Sequence, residues 1–210
     1  MTPRPRRHIR IWGIAALLLS TALGAFYLLS PSPPQGLNDR TQWLANGPSL
    51  PAFSLPSTQG VLDIDHMKGH WTLWLFGYTH CPDVCPTDLG VLARVMQQRR
   101  TAHQLLPQTI FVSVDPTRDS LPLLARYLTA FDPSFIGAQA DKSQLQPFTQ
   151  TMGVYAALHT DERDASGNYP VDHSTSFYLF NPAGTLQASF QNPQSVQELI
   201  QQFQRIIPNS

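Results

Sequence analysis

The segment Phe76-Gly77-Tyr78-Thr79-His80-Cys81-Pro82-Asp83-Val84-Cys85-Pro86 holds both cysteines of a 210-residue chain. It follows Trp71 to Phe76, an unbroken apolar run with aromatic residues and no alternation, continued by Gly77 and Tyr78. A run of that kind reads as a strand buried on both faces. After it comes Leu89 to Gln104, where Leu89, Leu92, Val95 and Met96 recur at helical spacing. Thiols placed between a buried strand and a helix N-terminus are set for chemistry, because that terminus favours the thiolate. Pro86 suits the first turn of the helix, which puts Cys85 at or near its cap. Cys81 and Cys85 are four residues apart, so they share a helix face or converge in a proline-flanked loop.

Outward from this segment the elements alternate. Ala52 to Asp65 can hold a short hairpin around Thr58-Gln59-Gly60. Thr109 to Val114 is a second buried strand, ending at Asp115-Pro116-Thr117-Arg118-Asp119. Asp119 or Ser120 can cap the helix that follows, with Pro122 in its first turn. Phe135 to Ala138 suits a short strand. Asp141 can cap Lys142 to Met152, a helix that Pro147 should bend or shorten. Thr175 to Phe180 and Thr185 to Phe190 flank the turn Asn181-Pro182-Ala183-Gly184. Ser195 then caps Val196 to Ile207. Strand, helix, strand, helix, hairpin and helix call for right-handed parallel crossovers with antiparallel strands added to the same sheet. That order predicts an α/β, thioredoxin-like domain over residues 52–207, with one strand and helix inserted between its halves.

The formal net charge is zero, but Arg4, Arg6, Arg7 and Arg10 all precede the first acid, Asp39. From residue 31 onward 10 basic residues face 14 acidic ones, a net charge of −4. No basic face for nucleic acid is present, and such a partner is not expected. Residues 11–29 carry no charge and are nearly all apolar, long enough as a helix to span the ~30 Å hydrocarbon core. With residues 1–10 as a basic cytoplasmic segment, this run is expected to be a single-pass anchor. A cleaved signal peptide is the rival reading, with Ala22-Leu23-Gly24 as the cleavage site, but the apolar run continues past it. Both place the rest of the chain outside the cytoplasm. Residues 30–51, rich in Pro, Gly, Ser and Asn, read as a tether.

A structural disulfide would suit an oxidising compartment, yet a bridge over so short a loop removes little chain entropy. Inert buried thiols fit poorly with the prolines and the polar Thr79, His80 and Asp83 around the pair. As metal ligands, two thiolates leave an ion under-coordinated. Thiolates select soft ions such as Cu(I), and imidazole also suits Cu(II). His66, His70, His80, His103, His159 and His173 are the candidates for a third ligand. His173, in Val171-Asp172-His173-Ser174-Thr175, precedes a strand whose entry should face the thiols in a thioredoxin-like fold; spacing alone does not select it.

The segment from Phe76 to Leu89 resembles the Sco/SenC family of membrane-anchored, thioredoxin-like copper proteins. So do Ser113-Val114-Asp115-Pro116-Thr117-Arg118-Asp119 and Val171-Asp172-His173-Ser174, in the same order. The resemblance covers roughly residues 52 to 206. It implies that Cys81, Cys85 and His173 are copper ligands, for Cu(I) or Cu(II). It also implies a role in maturing the dinuclear copper site of cytochrome c oxidase subunit II, at the cytoplasmic (inner) membrane of a bacterium with the domain in the periplasm. Asp115, Arg118 and Asp119 read as a loop network beside the site, and Asp172 either as a group that orients His173 or equally as a solvated loop carboxylate.

Two functions of different kinds follow. A copper carrier would hold the ion between Cys81, Cys85 and His173 and pass it on by ligand exchange, with a copper donor or thiol reductant as further partners. Oxidation of the pair to a disulfide would abolish binding. A thiol–disulfide reductase would use Cys81 and Cys85 as its redox pair, although C-x3-C departs from the C-x2-C of typical thioredoxin-like enzymes. A peroxidase would need Thr79 and Arg118 beside one activated cysteine, and Thr79 is only two residues from Cys81.

Overall fold

The computed structural model describes residues 34–192 and 194–208. The expected cytoplasmic segment and anchor, residues 1–29, lie outside them. Among the described residues no helix is long and apolar enough to cross a membrane.

Among the described residues ten strands and five α-helices follow in order. They are β1 (Thr41–Trp43), β2 (Ser54–Ser57), β3 (Gly60–Asp63), α1 (Ile64–Met67), β4 (Thr72–Gly77), α2 (Val84–Thr101), β5 (Gln108–Ser113) and α3 (Leu121–Thr129). Then come β6 (Ile136–Gln139), α4 (Lys142–Met152), β7 (Ala156–Leu158), β8 (Val171–His173), β9 (Phe177–Phe180), β10 (Leu186–Phe190) and α5 (Val196–Ile206). Eight strands form one sheet in the order β1-β10-β9-β4-β5-β6-β2-β3, and β7 and β8 pair separately. β4, β5 and β6 run parallel, while β9 pairs antiparallel with β4. This is the thioredoxin-like arrangement, with β6 and α4 as the insertion. Because β4 and β5 are parallel, the loops that leave their C-terminal ends emerge at one edge of the sheet. One carries the cysteines and the other carries Asp115 to Asp119.

All six residues of β4 are buried, as its continuous apolar run requires. Trp74 packs with Phe53, Phe76, Phe148 and Phe180 at ring-centroid distances of 5.4–6.3 Å. On the opposite part of the core Phe190 meets Phe203 of α5 at 5.6 Å. The helix caps follow their sequence signals. Ser120, not Asp119, caps α3, and Asp141 and Ser195 each form a reciprocal capping box with Gln144 and Glu198.

Helix α2 starts at Val84, with Pro86 in its first turn as expected; that turn faces the thiol site, so the apolar period that marks a core-facing helix begins only a turn later. Two local expectations change. α4 runs uninterrupted through Pro147 to Gly153, which closes it in the left-handed conformation at φ 70. The missing amide costs one hydrogen bond, and burial of Leu145 and Phe148 outweighs it. Composition also suggested a tether over 30–51, yet part of that stretch joins the sheet. Thr41, Gln42 and Trp43 pair with Phe190, Ser189 and Ala188, Leu44 N–H bonds Gln187, and Leu50 is buried. From Pro34 onward the prolines and glycines punctuate short bonded stretches rather than a free linker.

Candidate metal centre

Cys81 lies in the turn after β4, its N–H bonded to the Tyr78 carbonyl at 3.2 Å. Cys85 is the second residue of α2. Asp83, the helix N-cap, makes no side-chain cap bond. The Cys81 sulfur takes that place, accepting the Cys85 N–H at 3.5 Å. Both thiols are buried and unbridged. Cys81 is pushed well below the ordinary thiol range by the hydrogen bond from the Cys85 side chain, with the backbone N–H groups adding to it. Cys85 is pushed up by the same contact and by burial. The two thiols are coupled, so their protons leave in two steps, the first eased by the contact and the second opposed by it.

His173 ends β8, which is three residues long and pairs with β7 so that His173 lies opposite Ala156. Its Nδ1 is 3.0 Å from the Ser174 carbonyl. A carbonyl only accepts, so Nδ1 carries a proton, and in the neutral tautomer this contact selects the lone pair is on Nε2. That Nε2 lies 3.6 Å from Cys85 Sγ. The donor atoms of Cys81, Cys85 and His173 all lie within 4.8 Å of one another. Sulfur and nitrogen donors bind an ion such as zinc at about 2.0–2.3 Å, so donors sharing one ion stand up to about 4.5 Å apart. The three residues fit a soft first-row ion with shifts of a few tenths of an ångström.

The other candidate histidines go elsewhere. His66 pairs with Asp63 at 2.7 Å, and His70 and His103 are exposed. His80 turns from the thiols toward Thr79 and Asp119. His159 meets Asp172 at 2.8 Å. That last contact corrects the expected role of Asp172: its carboxylate faces across the β7–β8 ribbon, as strand alternation demands of the neighbour of an inward His173, and the Ser174 carbonyl orients the imidazole. Neither Thr79 nor Arg118 serves the thiols as a peroxidase would need. The Thr79 hydroxyl donates to Asp119 at 2.5 Å, and Arg118 pairs with Asp115 at 2.5 Å.

Further residues around the site had no role assigned from the sequence. Tyr78 sets its ring edge-on to His173, centroids 5.8 Å apart. Asn192 donates to Asp88 of α2 at 2.5 Å and to the Thr175 carbonyl, tying the cysteine helix to the segment after His173. Only Tyr78, flanking the cysteines, lies where sequence reasoning would have looked.

A thioredoxin-like domain with two coupled thiols and an imidazole together at one end of its parallel strands defines a protein built for thiol and soft-metal chemistry. Comparison with known proteins narrows this. The sequence model of the SCO1/SenC family matches residues 45–208. The chain belongs to that family. It is 34% identical over 139 residues to the mitochondrial SCO2 homolog of Homo sapiens, covering 66% of this chain and 52% of that protein. The chain thus spans about half the length of the mammalian relatives it matches. It is 31% identical over 193 residues to an SCO2-like protein of Rickettsia conorii, covering 90% of this chain and 93% of the relative. The structure of Bradyrhizobium japonicum ScoI with copper bound superposes with a TM-score of 0.62 at 30% identity, over 76% of this chain and 100% of that one.

Proposed function

We propose that this protein is a membrane-anchored copper carrier that holds the ion between Cys81, Cys85 and His173 and supports maturation of the dinuclear copper site of cytochrome c oxidase subunit II. The observation that carries the reading is the convergence of two sulfurs and one free imidazole nitrogen within 4.8 Å. The copper in the Bradyrhizobium relative supports the choice of ion. Two soft sulfurs suit Cu(I), and the nitrogen extends the set toward Cu(II). The Cys81 thiolate is ready to bind, and loss of the Cys85 proton completes the donor set. Residues 11–29 supply the anchor in this reading, with the domain on the periplasmic side of a bacterial inner membrane and the oxidase subunit as recipient.

Titration of the reduced, metal-free, full-length chain in detergent with Cu(I) and Cu(II) tests the ligand set. Cys81→Ser and Cys85→Ser should lose both ions, and His173→Ala should lose Cu(II) binding first. Full Cu(II) affinity with unchanged spectra in His173→Ala would refute it.

The low Cys81 pKa favours a second activity, reduction of extracytoplasmic disulfides. Cys81 would attack a target disulfide, Cys85 would resolve the mixed disulfide, and two electrons and two protons would pass to the target. Rapid reduction of a protein disulfide by a wild type that takes up no copper would favour this reading over the carrier.

A further inference from the structure

The three donors come from distant parts of the chain: Cys85 and His173 are 88 residues apart. One short loop touches both parts. It is Asp115 to Asp119, which leaves β5 at the same edge as the cysteine turn.

On one side, the buried Asp119 carboxylate accepts three hydrogen bonds. They come from the Thr79 N–H at 2.8 Å, the Thr79 hydroxyl at 2.5 Å and the Ser113 hydroxyl at 2.6 Å. These fix the backbone two residues before Cys81. On the other side, the buried Asp115 carboxylate accepts from Arg118 Nε at 2.5 Å and from the Tyr169 hydroxyl at 2.7 Å. The Arg118 guanidinium carbon lies over the Tyr169 ring, 3.5 Å from its centroid, and 5.5 Å from the centroid of Tyr78. Tyr78 in turn packs edge-on against His173. Tyr169 stands two residues before β8, the strand that ends in His173. Arg118 therefore holds the imidazole by two routes, through the ring beside it and through the strand that carries it. Its own side chain is 11% exposed, so the clamp is dry.

We propose that the Asp115–Asp119 loop is the brace that sets the distance between the thiols and the imidazole, with Arg118 the positioning residue for His173 and Asp119 for Cys81. The inference rests on the copper-site reading for its metal titration only. Neither residue touches the donor atoms. A lysine at 118 would keep the charge but lose the planar surface that stacks on Tyr169 and the fork that meets Asp115.

The test uses full-length protein in detergent, reduced and metal-free, uniformly labelled with 15N. In the wild type His173 should show the Nδ1–H tautomer. In Arg118→Met and Arg118→Lys its ring signals should move to the averaged values of mixed tautomers. The amides of His159 and Ser174, which bond across the ribbon to Pro170 and Tyr155, should exchange faster, while β4 and β5 keep wild-type exchange. Cu(II) affinity should fall about 10- to 100-fold, the range for partners that orient a ligand, and Cu(I) affinity should stay near wild type because the two thiolates remain. Tyr169→Phe, which keeps the stack and loses one hydrogen bond, should give a smaller change of the same kind, and it carries the test if the Arg118 variants do not fold. Asp119→Asn should shift the Thr79 and His80 signals and leave those of His173 in place.

Wild-type His173 signals and ribbon exchange in the Arg118 variants would overturn the proposal. So would equal loss of protection across β4, β5 and the ribbon, which would make Arg118 a determinant of the fold alone. A wild type that binds no copper would refute the carrier reading instead, and the metal-free spectra would still decide the brace.

Discussion

Replacing Gly77 with alanine should damage the site and the fold together. Gly77 ends β4, between β5 and the cysteine turn, and a Cβ there would lie 2.6 Å from Cys85 Sγ and 2.9 Å from the Phe111 ring. Ordinary contacts stand at about 3.5–4.0 Å, so the sulfur or the strand must yield by about 1 Å. A metal site tolerates departures of only about 0.2 Å from its proper bond lengths. Phe111 is fully buried in β5 and cannot retreat. Overpacking of this kind costs about 1–3 kcal/mol, and in a domain of this size 2 kcal/mol lowers the melting temperature by about 4–8 °C. Gly90 provides the control. It lies inside α2, and a Cβ there meets nothing within 4 Å. Alanine at 90 should stabilise by about 0.5–1 kcal/mol through helix propensity. Thermal unfolding of the reduced metal-free protein, followed by copper titration, reads both effects. Gly77→Ala with a wild-type melting temperature and wild-type copper spectra would refute the close packing of Cys85 beneath the strand.

Asp88 carries a pH dependence: burial, with the Cys81 thiolate adding to it, pushes its carboxyl up to about 7 from an ordinary 3.8. The folded state then holds this proton more tightly than the unfolded one, so the stabilisation is full below pH 3.8 and is lost as pH rises through about 7. Asp88→Asn should flatten that decline and stabilise the protein at pH 8 by roughly 1 kcal/mol, discounted for partial exposure, in denaturant titrations at pH 5 and 8; equal slopes in both proteins would be the contrary result. Phe148→Ala removes a fully buried ring from the cluster around Trp74 and should cost about 3–5 kcal/mol, read as a lower urea midpoint; a loss under 1 kcal/mol would contradict the packing. Ser195→Ala breaks the capping box of α5 and should cost about 1 kcal/mol, with the same measurement and no change in copper binding.

The sequence disclosed those parts of the fold whose cause is local. β4 was visible because burial on both faces leaves an unbroken apolar run, and α3, α4 and α5 because Ser120, Asp141 and Ser195 stand where orphan N–H groups need acceptors. β1 was hidden, since three residues between turns carry no period and Thr41–Trp43 is a strand only because β10 offers an edge. β8 was hidden for the same reason, its pairing supplied by Ala156–Leu158 across a polar loop. The cysteines were conspicuous as the only pair in the chain. His173 was one histidine among several until its motif was matched to a family, and the contact that singles it out physically, Nε2 against Cys85 Sγ, is a product of tertiary structure. Tyr169 and Asn192 had no sequence signal, because their partners, Asp115 and Asp88, are 54 and 104 residues away.

The three donors are not held with equal firmness, and this bears on how a carrier would let go of its ion. Cys81 follows a turn locked to Asp119, and Cys85 sits in an 18-residue helix packed beneath β4. His173 belongs to a ribbon of two three-residue strands outside the main sheet. Local opening has the lowest free energy where few backbone bonds and little buried apolar surface must be lost, and Leu158 within that ribbon and Tyr155 just before it are exposed. Ligand exchange in the proposed carrier should therefore begin at His173, leaving the ion on two sulfurs while a recipient supplies its first ligand. That order suits Cu(I), which two thiolates still satisfy, better than Cu(II), which loses its only nitrogen. Amide exchange of the metal-free protein should show the Ser174 and His159 amides opening well before those of Trp74 and Ile110. Protection in the ribbon equal to that in β4 would exclude a hand-off that starts at the imidazole.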